Sequence, residues 1–159
     1  MMIFKYLFMD VDGTLTDGKI HISNRGELYK TFDIKDGYAL AVTAKNNNLE
    51  PVVITGRNSE IVDIRCKELN IQHVYQGVSN KIIKIKELIS LFDIDVKQIA
   101  YIGDDLNDLE VIEYIKSNGG FTACPHNSAK EIKNIVHYVC ASCGGDGAVR
   151  EFIDFLTKK

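Results

Sequence analysis

Two carboxylates, Asp10 and Asp12, close an apolar run in Tyr6 to Asp10 followed by Val11-Asp12-Gly13-Thr14-Leu15. A strand repeats every two residues, so both acids project to the same side. Alone, an Asp-x-Asp-Gly run describes an acidic turn after a strand equally well. Three further elements change that weighing. Thr55 ends the apolar run Val52-Val53-Ile54, Lys81 opens a helix-period segment after Gly77-Val78-Ser79-Asn80, and Gly103-Asp104-Asp105-Leu106-Asn107-Asp108 follows Ala100-Tyr101-Ile102. Acids, a hydroxyl and an ammonium at four strand or helix ends are the parts that phosphoryl transfer requires, because a carboxylate attacking a phosphate dianion needs the charge neutralised first.

The elements that must position these groups alternate between apolar runs and helix-period segments, which is the pattern of repeated βα units. Strands are expected at Tyr6 to Asp10, Glu50 to Thr55, His73 to Tyr75, Gln98 to Gly103, Gly120 to Ala123 and His137 to Cys140. Helices are expected from Asp36 as N-cap, at Ser59 to Leu69, Lys81 to Phe92, Leu106 to Ile115, Ser128 to Ile135 and Gly147 to Leu156. In the Ser59 to Leu69 helix, Ile61, Val62, Ile64 and Leu69 fall roughly on one face. Lys19 to Ser23, the turn Asn24-Arg25-Gly26, and Glu27 to Asp33 read as a β-hairpin. The expected fold is α/β, a doubly wound parallel sheet over residues 1–159 as a single domain, with a hairpin insertion at about 18–34 and no cap domain. Open sheets of this kind bind ligands at the carboxyl ends of their strands, where the four elements fall.

Bulk composition fits that picture. The 159 residues are 45% hydrophobic and 26% charged, with a net charge of −3 that offers no electrostatic footing for nucleic acid or anionic membrane. No apolar run approaches the roughly 20 residues of a membrane span, and the N-terminus lacks the basic start of a signal peptide. The four cysteines, Cys66, Cys124, Cys140 and Cys143, are too few and scattered to staple the chain. Reduced thiols in a cytoplasmic protein are therefore expected.

Taken in order, the four motifs resemble those of the haloacid dehalogenase superfamily across nearly the whole chain. That resemblance implies a Mg²⁺-dependent phosphatase with Asp10 as nucleophile and Asp12 as general acid, then base. It implies Mg²⁺ held by Asp10, the backbone carbonyl of Asp12 and Asp104, with Thr55 and Lys81 on the phosphoryl oxygens. Asp12 separates phosphatases from ATPase relatives, which carry threonine there. Asp105 and Asp108 are expected as auxiliary residues that orient Lys81 or metal-bound water, or as a plain acidic helix start.

A narrower likeness follows from Asp10 to Gly18, Asp36-Gly37-Tyr38, Thr55-Gly56-Arg57, Arg65-Cys66, Tyr75-Gln76-Gly77, Ser79-Asn80-Lys81 and the Gly144 to Glu151 segment. These look like the capless sugar-acid phosphatase subfamily, whose members include phosphatases of 3-deoxy-D-manno-octulosonate 8-phosphate in lipopolysaccharide precursor synthesis. The likeness implies a homotetramer in which hairpins help close a neighbouring subunit's site. It also implies that Thr55, Gly56, Arg57, Arg65 and Lys81 bind substrate. Arg57 matches octulosonate phosphatases, whereas nonulosonate 9-phosphatases tend to carry Glu there. Asp146 departs from the pattern, which has Arg in the Gly-Gly-x-Gly segment, so a nonulosonate 9-phosphate stays open as substrate. A non-catalytic assembly domain, as attached to cytidylyltransferases, is disfavoured by the complete set of acids, hydroxyl and lysine.

Other signals carry less. Cys140-Ala141-Ser142-Cys143 has half the spacing of a zinc site, with no second half. The histidines show no metal-binding repeat, and His73 and His137 read as strand starts. Gly144, Gly145 and Gly147 either cradle an anion, with help from Arg150, or allow a tight turn. Lys35 and Lys84 read as solvated surface charges.

Overall fold

The computed structural model describes residues 4–158; Met1 to Ile3 and Lys159, part of the expected 1–159 domain, lie outside them. Six parallel strands form one sheet: β1 (Tyr6–Met9), β4 (Glu50–Ile54), β5 (His73–Tyr75), β6 (Ile99–Ile102), β7 (Phe121–Cys124) and β8 (Tyr138–Val139). Their order is β5-β4-β1-β6-β7-β8, so the chain winds outward from β1 in one direction and then returns to build in the other. β1 pairs with β4 on one side and β6 on the other, and side chains from both strand ends converge beside β1. A separate antiparallel hairpin, β2 (His21–Ser23) and β3 (Gly26–Tyr29), is the insertion.

Alternate faces of the central strands explain the two helical layers. Leu7, Met9 and Val53 face one layer, packed with Leu40, Val62, Phe152 and Ile153 from α1 (Ile34–Tyr38) and its π-helical continuation to Ala44, α2 (Glu60–Glu68) and α6 (Ala148–Thr157). Phe8, Val52, Ile54 and Tyr101 face the other, with Ile85, Leu88, Ile112, Ile115 and Ile132 from α3 (Lys81–Phe92), α4 (Leu109–Ser117) and α5 (Lys130–Ile135).

Three local expectations are corrected. Asp33, not Asp36, caps α1, accepting from the Lys35 and Asp36 amides, so Asp36 falls inside the first turn. Ile64 is 68% exposed, and α2 buries Val62 and Cys66 instead, because the apolar stripe there is only two residues wide. The segment expected to start a helix at Leu106 begins as a 3-10 turn, Leu106–Asp108, and becomes α-helical at Leu109.

Candidate active site

Asp10 follows the last residue of β1 and is 3% exposed. Its Oδ1 accepts from the Val11 amide at 2.8 Å, and its Oδ2 lies 2.9 Å from Lys81 Nζ. Lys81 is the first residue of α3, set there because Asn80 caps the helix by accepting from the Ile83 amide. The same ammonium donates to Asp108 Oδ1 at 2.7 Å. Asp108, fully buried, also accepts from Tyr101 Oη at 2.6 Å and from the Asp104 and Asp105 amides at 3.0 and 3.3 Å. One carboxylate thus fixes the lysine and shapes the turn that carries Asp104. Asp105, by contrast, caps the 3-10 turn by accepting from the Leu106 amide and does not touch Lys81.

Crowding of like charge shows in the proton affinities. Burial first, then Asp108, raises the Asp10 carboxyl to about 6 despite the opposing pull of Lys81. Burial, then Asp10, Asp108 and Asp105, raises Asp104 to about 7. Burial alone would lower Lys81, yet Asp108 and Asp10 outweigh it and hold the ammonium above its ordinary value. Carboxylates packed this closely call for a divalent cation. Asp10, Asp104 and Asp108 each present a ligand atom within 4.8 Å of the others. Asp108 is already taken up by four donors, so Asp10 and Asp104 are the carboxylates available to Mg²⁺, an all-oxygen set of the kind that hard cation takes.

A cavity of about 300 Å³ opens over these groups, lined by Asp10, Asp12, Thr55, Gly56, Arg57 and Asp104 among others. Thr55, 2% exposed, is held at the end of β4 by its amide to the Tyr75 carbonyl and by its carbonyl to the Val78 amide. Seven of the sequence-derived site residues, these six and Asp105, therefore meet in one cavity, with Lys81 2.9 Å from Asp10. Arg65 does not join them within the chain. It pairs with Glu68 at 2.8 Å, stacks 5.7 Å above the Phe32 ring, and lines a separate small cleft with Phe32, Asp33 and Asp36. Its side chain, 18% exposed, lies against Gly37 of α1 rather than at the strand ends.

The Gly144 to Gly147 loop is a tight turn, with the Asp146 amide donating to the Cys143 carbonyl at 3.1 Å. The Gly145 amide donates to the Thr14 carbonyl at 3.1 Å and the Gly144 amide to Asn127 Oδ1 at 2.9 Å, so neither is free to cradle an anion. A Cβ on Gly144 would collide with the Gly13 carbonyl, which makes the loop a close-fitting backing for the Asp10–Thr14 turn. Arg150 pairs with Asp154 at 2.7 Å instead of facing the cavity. Cys140 is buried, and burial, with Glu151 next, pushes its thiol up to about 12, so this thiol stays protonated.

Sequence reasoning missed the hairpin's own contribution. Lys30, directly after β3, places Nζ 2.5 Å from Asp12 Oδ1 and 3.0 Å from Glu27 Oε1, with its side chain only 2% exposed. Glu27 in turn accepts from Ser59 Oγ and lies 3.7 Å from Arg57. The available signal was a hairpin too small to be stable unless packed, carrying Glu27 and Lys30 three residues apart at its second strand.

Comparison with known proteins settles the family. Residues 54–153 match the haloacid dehalogenase-like hydrolase model. The chain belongs to the haloacid dehalogenase-like hydrolases. Among relatives of this hydrolase, the 3-deoxy-D-manno-octulosonate 8-phosphate phosphatase KdsC of Salmonella typhi is 40% identical over 152 residues, 96% of this chain and 78% of its own. The phosphatase of that name from Moraxella catarrhalis, solved with magnesium, phosphate and KDO, superposes with a TM-score of 0.89 at 36% identity, over 96% of this chain and 85% of that one. The Yersinia pestis phosphatase structure gives 0.89 at 35% identity, covering 96% and 80%. As in the expected fold, the hydrolase is a parallel α/β sheet with no cap evident.

Proposed function

We propose that the chain is a Mg²⁺-dependent phosphatase hydrolysing 3-deoxy-D-manno-octulosonate 8-phosphate through an aspartyl phosphate on Asp10. The observation that carries this reading is Asp10 seated on Lys81 at 2.9 Å beside Asp104, with Asp12 and Arg57 in the same cavity. Identity of 40% to an octulosonate 8-phosphate phosphatase over nearly the whole chain supports the substrate.

In this reading Mg²⁺, held by Asp10, Asp104 and the Asp12 carbonyl, neutralises the phosphoryl charge and aligns it for in-line attack. Lys81 supplies a second positive charge and Thr55 a hydrogen bond to the phosphoryl oxygens. An Asp10 oxygen attacks phosphorus as the ester oxygen departs, and Asp12 donates its proton to that oxygen. Asp12 then takes a proton from the water that cleaves the Asp10 phosphate, restoring both groups. Arg57, half-exposed at the cavity wall, suits a substrate carboxylate by its planar fork. Asp146 is exposed and does not line this cavity, so its departure from the subfamily pattern does not oppose an anionic sugar there.

Assembly belongs to the same proposal. Ile20, Ile22, Leu28 and Tyr29 are exposed on and around the hairpin, and Ile34 and Tyr38 are exposed on α1. A patch of this kind on a two-stranded ribbon favours packing against other copies, as in the proposed homotetramer. A cytoplasmic location accords with four free cysteines and with the absence, among the described residues, of any helix long and apolar enough to cross a membrane. The test is a panel of sugar-acid phosphates with Mg²⁺. The octulosonate 8-phosphate should give the highest kcat/KM, and a preference for a nonulosonate 9-phosphate would replace the substrate while keeping the chemistry.

A further inference from the structure

We propose that Lys30 is a positioning residue for the general acid, holding Asp12 by one oxygen so that the other is presented to the leaving group. The inference rests on the phosphatase reading above and adds a residue to it. Asp12 lies on the turn after β1, where its own backbone neighbours give its side chain no hydrogen bond among the described contacts. What fixes it comes from the hairpin. Lys30 Nζ donates to Asp12 Oδ1 at 2.5 Å, and the ammonium is itself anchored 3.0 Å from Glu27 Oε1. Glu27 is tied to the helical layer through Ser59 Oγ. The chain of contacts therefore runs from α2's N-cap, through β3, to the carboxylate that must move a proton.

The two oxygens of Asp12 are treated differently. Oδ1 is held closely by a side chain that is 2% exposed, whereas Oδ2, among the described residues, faces Arg57 at a loose 3.7 Å across a half-exposed side chain in the cavity. A buried ammonium with two carboxylate partners loses little further freedom when substrate arrives, so the anchor is prepaid in the fold. Oδ2 is left as the proton-transferring atom. When the Asp10–phosphorus bond forms and the phosphorus–oxygen bond to the sugar breaks, the proton on Oδ2 passes to the departing alkoxide and Asp12 is left as carboxylate beside Lys30. An alkoxide leaves poorly without that proton, whereas an aryl oxide with strongly electron-withdrawing substituents leaves well without it.

The test compares kcat/KM, which reports the steps through departure of the leaving group, for a sugar phosphate and for p-nitrophenyl phosphate, each with Mg²⁺. Lys30→Met should lose on the order of 10- to 100-fold on the sugar phosphate, part of what a positioned general acid contributes, and far less on the aryl ester. Lys30→Arg, which keeps the cation, should recover part of the sugar-phosphate loss. Equal losses on both esters would show a merely structural role and overturn the proposal, as would wild-type rates on both. Should Lys30→Met fail to fold, Glu27→Gln, which frees the ammonium's second anchor, should give the same ester-selective loss in smaller measure, and its absence would overturn the proposal likewise. Wild-type protein that hydrolyses neither ester would instead overturn the phosphatase reading itself.

Discussion

Replacing Asp36 by asparagine should make the protein less sensitive to rising pH, and the size of the effect follows from where this carboxyl sits. Asp36 is 2% exposed; its Oδ1 accepts from the Arg150 amide at 2.7 Å, and its Oδ2 has no partner. Burial, together with Asp33 and Asp146, outweighs the Arg150 and Gly147 amides at the start of α6 and raises the carboxyl from 3.8 to about 6. The folded state therefore binds this proton more tightly than the unfolded chain does. Stability from this group is complete below the unfolded value and is lost as pH rises through the folded one. At ~1.36 kcal/mol per pKa unit, the total loss is about 3 kcal/mol, of which about 2 falls between about pH 4.5 and pH 8. Urea unfolding of wild type and Asp36→Asn at those two pH values gives the double difference directly. Asp10 and Asp104 titrate in the same window but are common to both proteins and cancel. The asparagine variant should retain about 2 kcal/mol more than wild type on going to the higher pH. Parallel losses in the two proteins would show that the Asp36 carboxyl is solvated in solution, and would refute the reasoning.

Two further outcomes follow from the acid cluster. Mg²⁺ should relieve the repulsion between Asp10 and Asp104, so saturating metal (about 100 Kd) should stabilise by about 2.7 kcal/mol and raise Tm by roughly 5–10 °C; Asp104→Asn should abolish most of that shift in a thermal melt. Asp108→Asn should break a buried ion pair with Lys81, costing about 3–5 kcal/mol and lowering Tm by about 10 °C, with kcat falling as Lys81 loses one of its two anchors. A melt within experimental error of wild type would contradict the part given to Asp108.

The sheet and its order of elements were legible because the central strands are buried on both faces and read as continuous apolar runs, Leu7 to Met9 and Val52 to Ile54. The helix Lys81–Phe92 was legible to the residue because a capping Asn80 precedes a clean apolar period. Asp10, Asp12, Thr55 and Asp104 were findable because each stands at or just after a strand end, where polar side chains have no packing reason to interrupt the run, whereas Arg57 was found through the subfamily likeness. Lys30 and Glu27 were not, because their role depends on how the hairpin folds over β1, which local pattern does not encode. Asp36 misled as an N-cap because its partner, the start of α6, lies more than a hundred residues away. The glycines after Cys143 read equally as an anion cradle or a tight turn, and the choice turns on the Gly144 and Gly145 amides, which Asn127 and Thr14 take up in tertiary contacts that local pattern does not encode.

Nucleophilic attack by Asp10 is the claim on which the mechanism turns. A single turnover of sugar phosphate with Mg²⁺, quenched in acid and mapped by peptide mass spectrometry, reads it most directly. One phosphoryl group should appear transiently on the peptide carrying Asp10 and be absent in Asp10→Asn. Product formation with no phosphorylated Asp10 at any quench time, or a phosphoryl group on Asp104 instead, would contradict it.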